Sequence, residues 1–211
     1  MAEITWLGHA CFRIRGREAV VLTDPIEPEA GLVAGEQTAD IVTVSRVLDE
    51  GESLAGVGPK TRIVAGPGEY EIADVFITGI RSHRDAEQGA QRRANTIYLI
   101  EIEDLVICHL GNLGQALSEE QAGGMSAVDV LIVPVGGEQT IDAAAAVEVI
   151  GQIEPSIVIP MPDSSERGNG DREPLDRFLK QVGSADVVPV PRLSVKKSDL
   201  GETMQVVVLQ R

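Results

Sequence analysis

The sequence carries three histidines, His9, His83 and His109. Imidazoles joined by carboxylates can hold a divalent cation or move a proton near neutral pH. The three stand in separate segments, so the fold has to bring any pair together. His9 follows Gly8, and a lone histidine beside glycine reads as a structural residue. His109 adjoins Cys108 at the end of an apolar run; two such groups are too few for a soft-metal site, and a hydrogen-bonded, half-buried imidazole is expected. Asp24 precedes Pro25, which fits a turn former or a support beneath a pocket floor. The cluster Glu69-Tyr70-Glu71 reads as a solvated strand edge.

Familiar motifs do not extend this list. Gly56-Val57-Gly58-Pro59-Lys60-Thr61 lacks the glycine before lysine and the following helix that a phosphate loop needs. Gly66-Pro67-Gly68 and Gly136-Gly137 read as turns. The chain has no GxSxG elbow, CxxC pair or HExxH helix.

The elements that must position these side chains are mostly strands. Val- and Ile-rich runs at 3–7, 11–15, 19–23, 41–45, 61–65, 74–80, 95–102 and 104–109 predict a sheet-rich first half. Tight polar connections such as Arg15-Gly16-Arg17-Glu18 favour antiparallel hairpins. Val128–Val135 and Ser156–Met161 read as buried strands among helices. Ser118 with Gln121 forms a capping box. Thr140 is expected to cap a helix that shows Ala143, Val147, Ile150 and Ile153 on one face and stops before Pro155. A last helix begins near Pro174 and ends at Gly183, preceded by the polar segment Asp163–Glu173.

With 211 residues and no linker, the chain is expected to form one domain over 1–211. A net charge of −15 gives no electrostatic support for binding nucleic acid or a membrane surface. Cys11 and Cys108 lie in apolar runs and read as free thiols. With no signal-like start and no apolar stretch of membrane-spanning length, a cytoplasmic location is expected.

Several short stretches, taken in order, resemble the lactonase-like branch of the metallo-β-lactamase superfamily. They are Ile4-Thr5-Trp6-Leu7-Gly8-His9-Ala10, Thr23-Asp24-Pro25, His83, Asn95-Thr96-Ile97-Tyr98, Cys108-His109-Leu110-Gly111-Asn112-Leu113-Gly114, Val133-Pro134-Val135-Gly136 and Val158-Ile159-Pro160-Met161. The resemblance implies an α/β fold, an αββα sandwich, and a cleft that in the family holds two zinc or manganese ions. The family's His-x-His-x-Asp-His signature falls on Arg46, Val47, Leu48, Asp49, Glu50 and Gly51. The next histidine is kept as His83, the bridging carboxylate falls at Asn112, and the last histidine at Pro162. The implied cleft is therefore lined by His9, Asp24, Arg46, Leu48, Glu50, Gly51, His83, Asn112 and Pro162, with Arg46 expected to pair with Glu50, Asp49 or Asp85. Asn112 is expected at a strand end, hydrogen-bonded to its neighbours.

Counted at those inherited positions, His83 and Glu50 remain as donors. That count leads to the expectation of no metal, no cofactor and no catalytic residues, in a non-catalytic module that takes a small-molecule ligand or assembles as a homo-oligomer. The alternative is a hydrolase of an ester, lactone or phosphodiester, with a site rebuilt from Glu50, His83, Asp85, His109 and Asp163. A third reading is a structural subunit among catalytic relatives.

Overall fold

Alternation of buried and half-buried residues along β1 (Ala2–Gly8) puts Ala2, Ile4 and Trp6 on one face, the period-two pattern of a strand with one face in a core. The computed structural model describes residues 1–27, 38–48, 50–84, 94–125, 127–136, 140–162 and 173–211. Next come β2 (Cys11–Arg15), β3 (Val20–Thr23), a short β4 (Ile26–Glu27), β5 (Ile41–Val44), a short β6 (Ser53–Leu54) and β7 (Arg62–Ala65). The chain continues through β8 (Gly68–Ile72), β9 (Val75–His83), β10 (Ala94–Ile102), β11 (Leu105–His109), α1 (Glu119–Gly123), β12 (Val130–Pro134), α2 (Ala143–Ile153), β13 (Ile157–Met161), α3 (Glu173–Gln181), β14 (Leu193–Val195) and β15 (Gln205–Val206).

Two sheets result. One has the order β14-β1-β2-β3-β5-β7 and the other β15-β13-β12-β11-β10-β9-β8, while β4 and β6 form a separate ribbon. The sheets enclose an apolar core that includes Ile4, Phe12, Ile14, Ile41, Ile77, Ile100, Ile107 and Ile159. The fold is of the metallo-β-lactamase type.

A second cluster, with Leu131, Val149, Ile150, Phe178 and Leu179, seats α2 and α3 on the outer face of the seven-stranded sheet. The outer face of the six-stranded sheet is covered among the described residues by Leu48, in the loop after β5, and Leu54 of β6, packed on Leu22, Val42 and Val44. No helix among the described residues is long and apolar enough to cross a membrane.

Local chemistry explains the helix ends. Ser118 and Gln121 make the reciprocal capping box. The cap of α2 is Asp142, whose side chain accepts from the Ala145 N–H, and not the expected Thr140. A carboxylate at that position also meets the positive end of the helix dipole. Glu154 ends α2 in the left-handed region at φ 52°, ahead of Pro155. The polar segment 163–172 lies outside the described residues.

Strand direction decides where function can sit. β1, β3 and β5 run one way in the first sheet, and β9, β11, β12 and β13 share a direction in the second. Their C-terminal ends meet at one edge of the sandwich, where Thr96 N–H donates to Ser45 O at 2.7 Å across the sheets. The buried Tyr98 hydroxyl, its one proton shared between Val44 O at 2.8 Å and Val64 O at 3.2 Å, locks the same edge.

Candidate active site

The resemblance placed its cleft residues just beyond strand C-termini, and the structure puts those termini together. Ser45 ends the segment after β5, its carbonyl bonded to Thr96 on β10. Asn95, beside Thr96, pairs with Ser82 on β9, and Ala94 pairs with His83. Arg46 and His83 thus belong to the same edge of the domain. Arg46 and Arg84 both act on the Asp24 carboxylate from that edge.

Asp24 is more than a turn former. Its backbone is left-handed at φ 39°, its side chain is buried, and its oxygens accept from Ser45 N–H at 2.6 Å and Ser45 Oγ–H at 2.7 Å. Burial raises its pKa to about 6, against the pull of the Ser45 bonds and of the Arg46 and Arg84 charges. The carboxylate pins the start of the segment that leads to Arg46.

That segment departs from expectation in three ways. Arg46 pairs with Glu52, at 2.6 Å from Nη1 and 2.5 Å from Nη2, and not with Glu50; the expected partners Asp49 and Asp85 lie outside the described residues. A chain that turns back through Gly51, at φ 91°, returns Glu52 to the guanidinium. Leu48 packs on the outer face of the six-stranded sheet instead of facing the cleft. Glu50 is exposed, and open space surrounds the Cα of Gly51.

His83 ends β9, half-buried, and its Nδ1 is buried with no hydrogen-bond partner among the described residues. His9 lies in the β1–β2 bend with φ 46°, its carbonyl accepting from Trp6 Nε1 at 2.8 Å. His109 corrects the expectation of a half-buried, hydrogen-bonded ring: it is fully buried and neither ring nitrogen has a hydrogen bond of good geometry among the described residues. Burial lowers its pKa to about 4, with the Ala10 carbonyl opposing that shift.

Asn112 lies three residues past the end of β11, half-buried, and its backbone N–H donates to Asn95 Oδ1 at 2.9 Å. Pro162 follows β13 at the same edge. The residue the sequence reading missed as a site component is Asn95. It is buried, and its Nδ2 donates to Ser82 Oγ at 2.7 Å and Leu110 O at 2.9 Å. One amide joins β9, β10 and the loop after β11. An amide at the head of the mostly apolar strand 95–102 was the available signal. Gly111, at φ 59°, lets the loop approach, because a Cβ there would stand 2.6 Å from Asn95 Oδ1 and from Ser45 Cβ.

Among the described residues no three His, Cys, Asp or Glu side chains group as a metal holder. Asp49, Asp85 and Asp163 lie outside the described residues. The two cysteines are free and buried, both thiols raised by desolvation above the range where they ionise.

Comparison with known proteins gives a consistent result. The model of the beta-lactamase superfamily domain matches residues 3–162. A UPF0173 metal-dependent hydrolase of Thermoplasma acidophilum is 27% identical over 89% of this chain and 95% of its own. A UPF0173 protein of Pyrococcus abyssi is 26% identical over 85% and 91%. Among solved structures, a proposed Zn-dependent hydrolase of the metallo-beta-lactamase superfamily from Thermotoga maritima is 30% identical and superimposes with a TM-score of 0.80, covering 99% of this chain and 98% of the other.

These relatives overturn the expectation of a non-catalytic binding or assembly module, and with it the reading of a pseudoenzyme with a degenerate metal site. Proteins that align over most of the chain are named metal-dependent hydrolases. The expectation rested on a ligand count at seven inherited positions, and the alternative weighed beside it, a hydrolase with a rebuilt site, agrees better with these relatives. With the family model covering residues 3–162 and the Thermotoga maritima structure matching nearly end to end, the chain belongs to the metallo-β-lactamase superfamily.

Proposed function

We propose that this chain is a hydrolase of an ester, lactone or phosphodiester, working at the edge where β1, β3, β5, β9, β11 and β13 end. The observation that carries the reading is the alignment, over 75–89% of the chain, of relatives named metal-dependent hydrolases. Fold alone would not support it, since one fold hosts many chemistries.

The described donors do not by themselves fit the two-metal centre of this fold. What the described side chains supply is proton transfer and position. Of the three imidazoles, His9 and His83 are half-buried; His83, at the end of β9, is the one that the resemblance sets at a ligand position, and its ring is the candidate general acid or base. His109, with no exposure, cannot touch a substrate and acts through its neighbours. The bond from Asn95 fixes the Asn112 backbone beside the cleft, and the Arg46–Glu52 pair stiffens the facing segment.

The test is turnover of a panel of chromogenic esters, lactones and phosphodiesters by full-length protein, with zinc or manganese added and again after chelation. Turnover of one class above an enzyme-free control supports the reading. Absence of turnover across all three classes in both conditions opposes it.

A further inference from the structure

The core between the sheets changes character at its functional edge. Along β3, β5 and β11 the inward face carries Val21, Ile41 and Ile107, and two residues further on it carries Thr23, Thr43 and His109. All three polar groups are at most 1% exposed. Thr23 is satisfied, accepting from Phe12 N–H and donating to Ala10 O. Thr43 Oγ1 has no partner among the described residues, and neither ring nitrogen of His109 makes a hydrogen bond of good geometry there, the Ala10 carbonyl being near the ring but poorly aligned with it. Buried polar atoms are rarely left this way, and such groups call for a physical explanation.

His109 Nδ1 lies 4.0 Å from Asp24 Oδ2. That is too long for a hydrogen bond and short enough for one to form with a small movement. The same Oδ2 accepts the Ser45 hydroxyl, so it faces two claims.

We propose that Asp24 and His109 form a proton-operated latch, in which one proton taken from solvent is held between Asp24 Oδ2 and His109 Nδ1, draws Oδ2 off the Ser45 hydroxyl and loosens the segment beginning at Ser45. The proton leaves a hydronium ion of the solvent, which becomes water, and forms one O–H or N–H bond on the pair, whose net charge goes from −1 to zero. Burial favours the neutral form of each group taken singly. The surrounding charges are Arg46 and Arg84, which favour the anionic carboxylate and so hold the latch shut at neutral pH. Cys11, which Arg211 also faces, and Tyr98 stay protonated, since burial and the Asp24 charge both raise them. On the His109 side stand the Ala10 carbonyl and the Phe12 ring, edge-on at 5.9 Å. Loosening Ser45 reaches the cleft directly, because its carbonyl holds Thr96 and its side chain backs onto Gly111.

The inference does not depend on the reaction, and its test reads no activity. Full-length protein labelled with 15N is followed by NMR from pH 8 to 4.5, with the three histidine rings assigned through His9→Gln and His83→Gln. The latch predicts that the His109 ring and the Ser45 amide move together with one midpoint, and that Ser45 amide protection drops by about fivefold across the step, because turning Oδ2 toward His109 also weakens the bond that Oδ1 accepts from the Ser45 N–H. Asp24→Asn abolishes the Ser45 step and His109→Gln displaces it. A His109 ring that keeps one set of shifts while Ser45 titrates overturns the proposal, as does a Ser45 amide that stays flat. The two wild-type titrations decide the matter even where a variant does not fold.

Discussion

Replacing Asn95 by leucine tests the joint that holds the candidate site together. Leucine is close to asparagine in shape, so the cavity contribution is small and the effect isolates hydrogen bonds. The change removes two donated bonds, to Ser82 Oγ and Leu110 O, and one accepted bond, from Asn112 N–H. Two of the abandoned groups are backbone atoms that cannot rotate to new partners, whereas the Ser82 hydroxyl can. Each buried group left unpaired costs about 1–3 kcal/mol, so the two backbone groups set a loss of roughly 2–6 kcal/mol in folding stability. Equilibrium unfolding in urea measures it, read as a lower midpoint at unchanged slope. A loss under about 1 kcal/mol would refute the reasoning, because it would mean that β9, β10 and the loop after β11 meet without the amide.

Other expectations follow from the same geometry. Gly111→Ala forces a Cβ against Asn95 Oδ1 and Ser45 Cβ, each 2.6 Å away, at a left-handed residue; thermal unfolding is expected to show a loss of about 1–3 kcal/mol, and an unchanged melting temperature contradicts the placement. Tyr98→Phe deletes the hydroxyl that links the sheets and leaves Gly66 N–H without its acceptor, a cost of about 1–3 kcal/mol that a urea titration detects. For pH, the signs are opposite. Asp24, raised from 3.8 to about 6, keeps its proton longer in the folded state, so its contribution to stability falls as pH rises through that window. His109, lowered from 6.5 to about 4, resists protonation when folded, so its contribution rises with pH over its own window. Relative to the double variant, stability in His109→Gln should therefore fall from pH 4 to 6, and in Asp24→Asn it should rise, each by about 3 kcal/mol as an order of magnitude. Parallel slopes in the two variants would contradict both assignments.

The sequence made most of the fold legible because Val- and Ile-rich runs mark strands wherever both faces are covered. β10, β12 and β13 are of this kind, while β4, β6 and β15, two residues each, are too short to carry a pattern. The cluster Glu69-Tyr70-Glu71 was readable as a strand edge because β8, the outermost strand of its sheet, alternates exposed Glu69 and Glu71 with half-buried Tyr70. The site was legible as a set of strand ends and not as a set of contacts. Arg46 meets Glu52 because the segment folds back, and Leu48 turns to the outer layer because an apolar surface there needs cover; spacing along the chain reveals neither. His109 looked like a half-buried ring beside a cysteine, yet strand alternation sends Cys108 toward the helices and His109 into the core.

The proposed hydrolysis at the cleft to which His83 belongs is tested by one comparison. The most direct measurement is the hydrolysis rate of the best chromogenic substrate by wild-type protein and by His83→Ala, with folding of both verified by circular dichroism. Hydrolysis at the cleft predicts turnover by the wild type and a loss of at least about 100-fold in the folded variant, the lower range for removing a group that moves a proton. Equal rates in the two proteins, or no turnover by either, would contradict it.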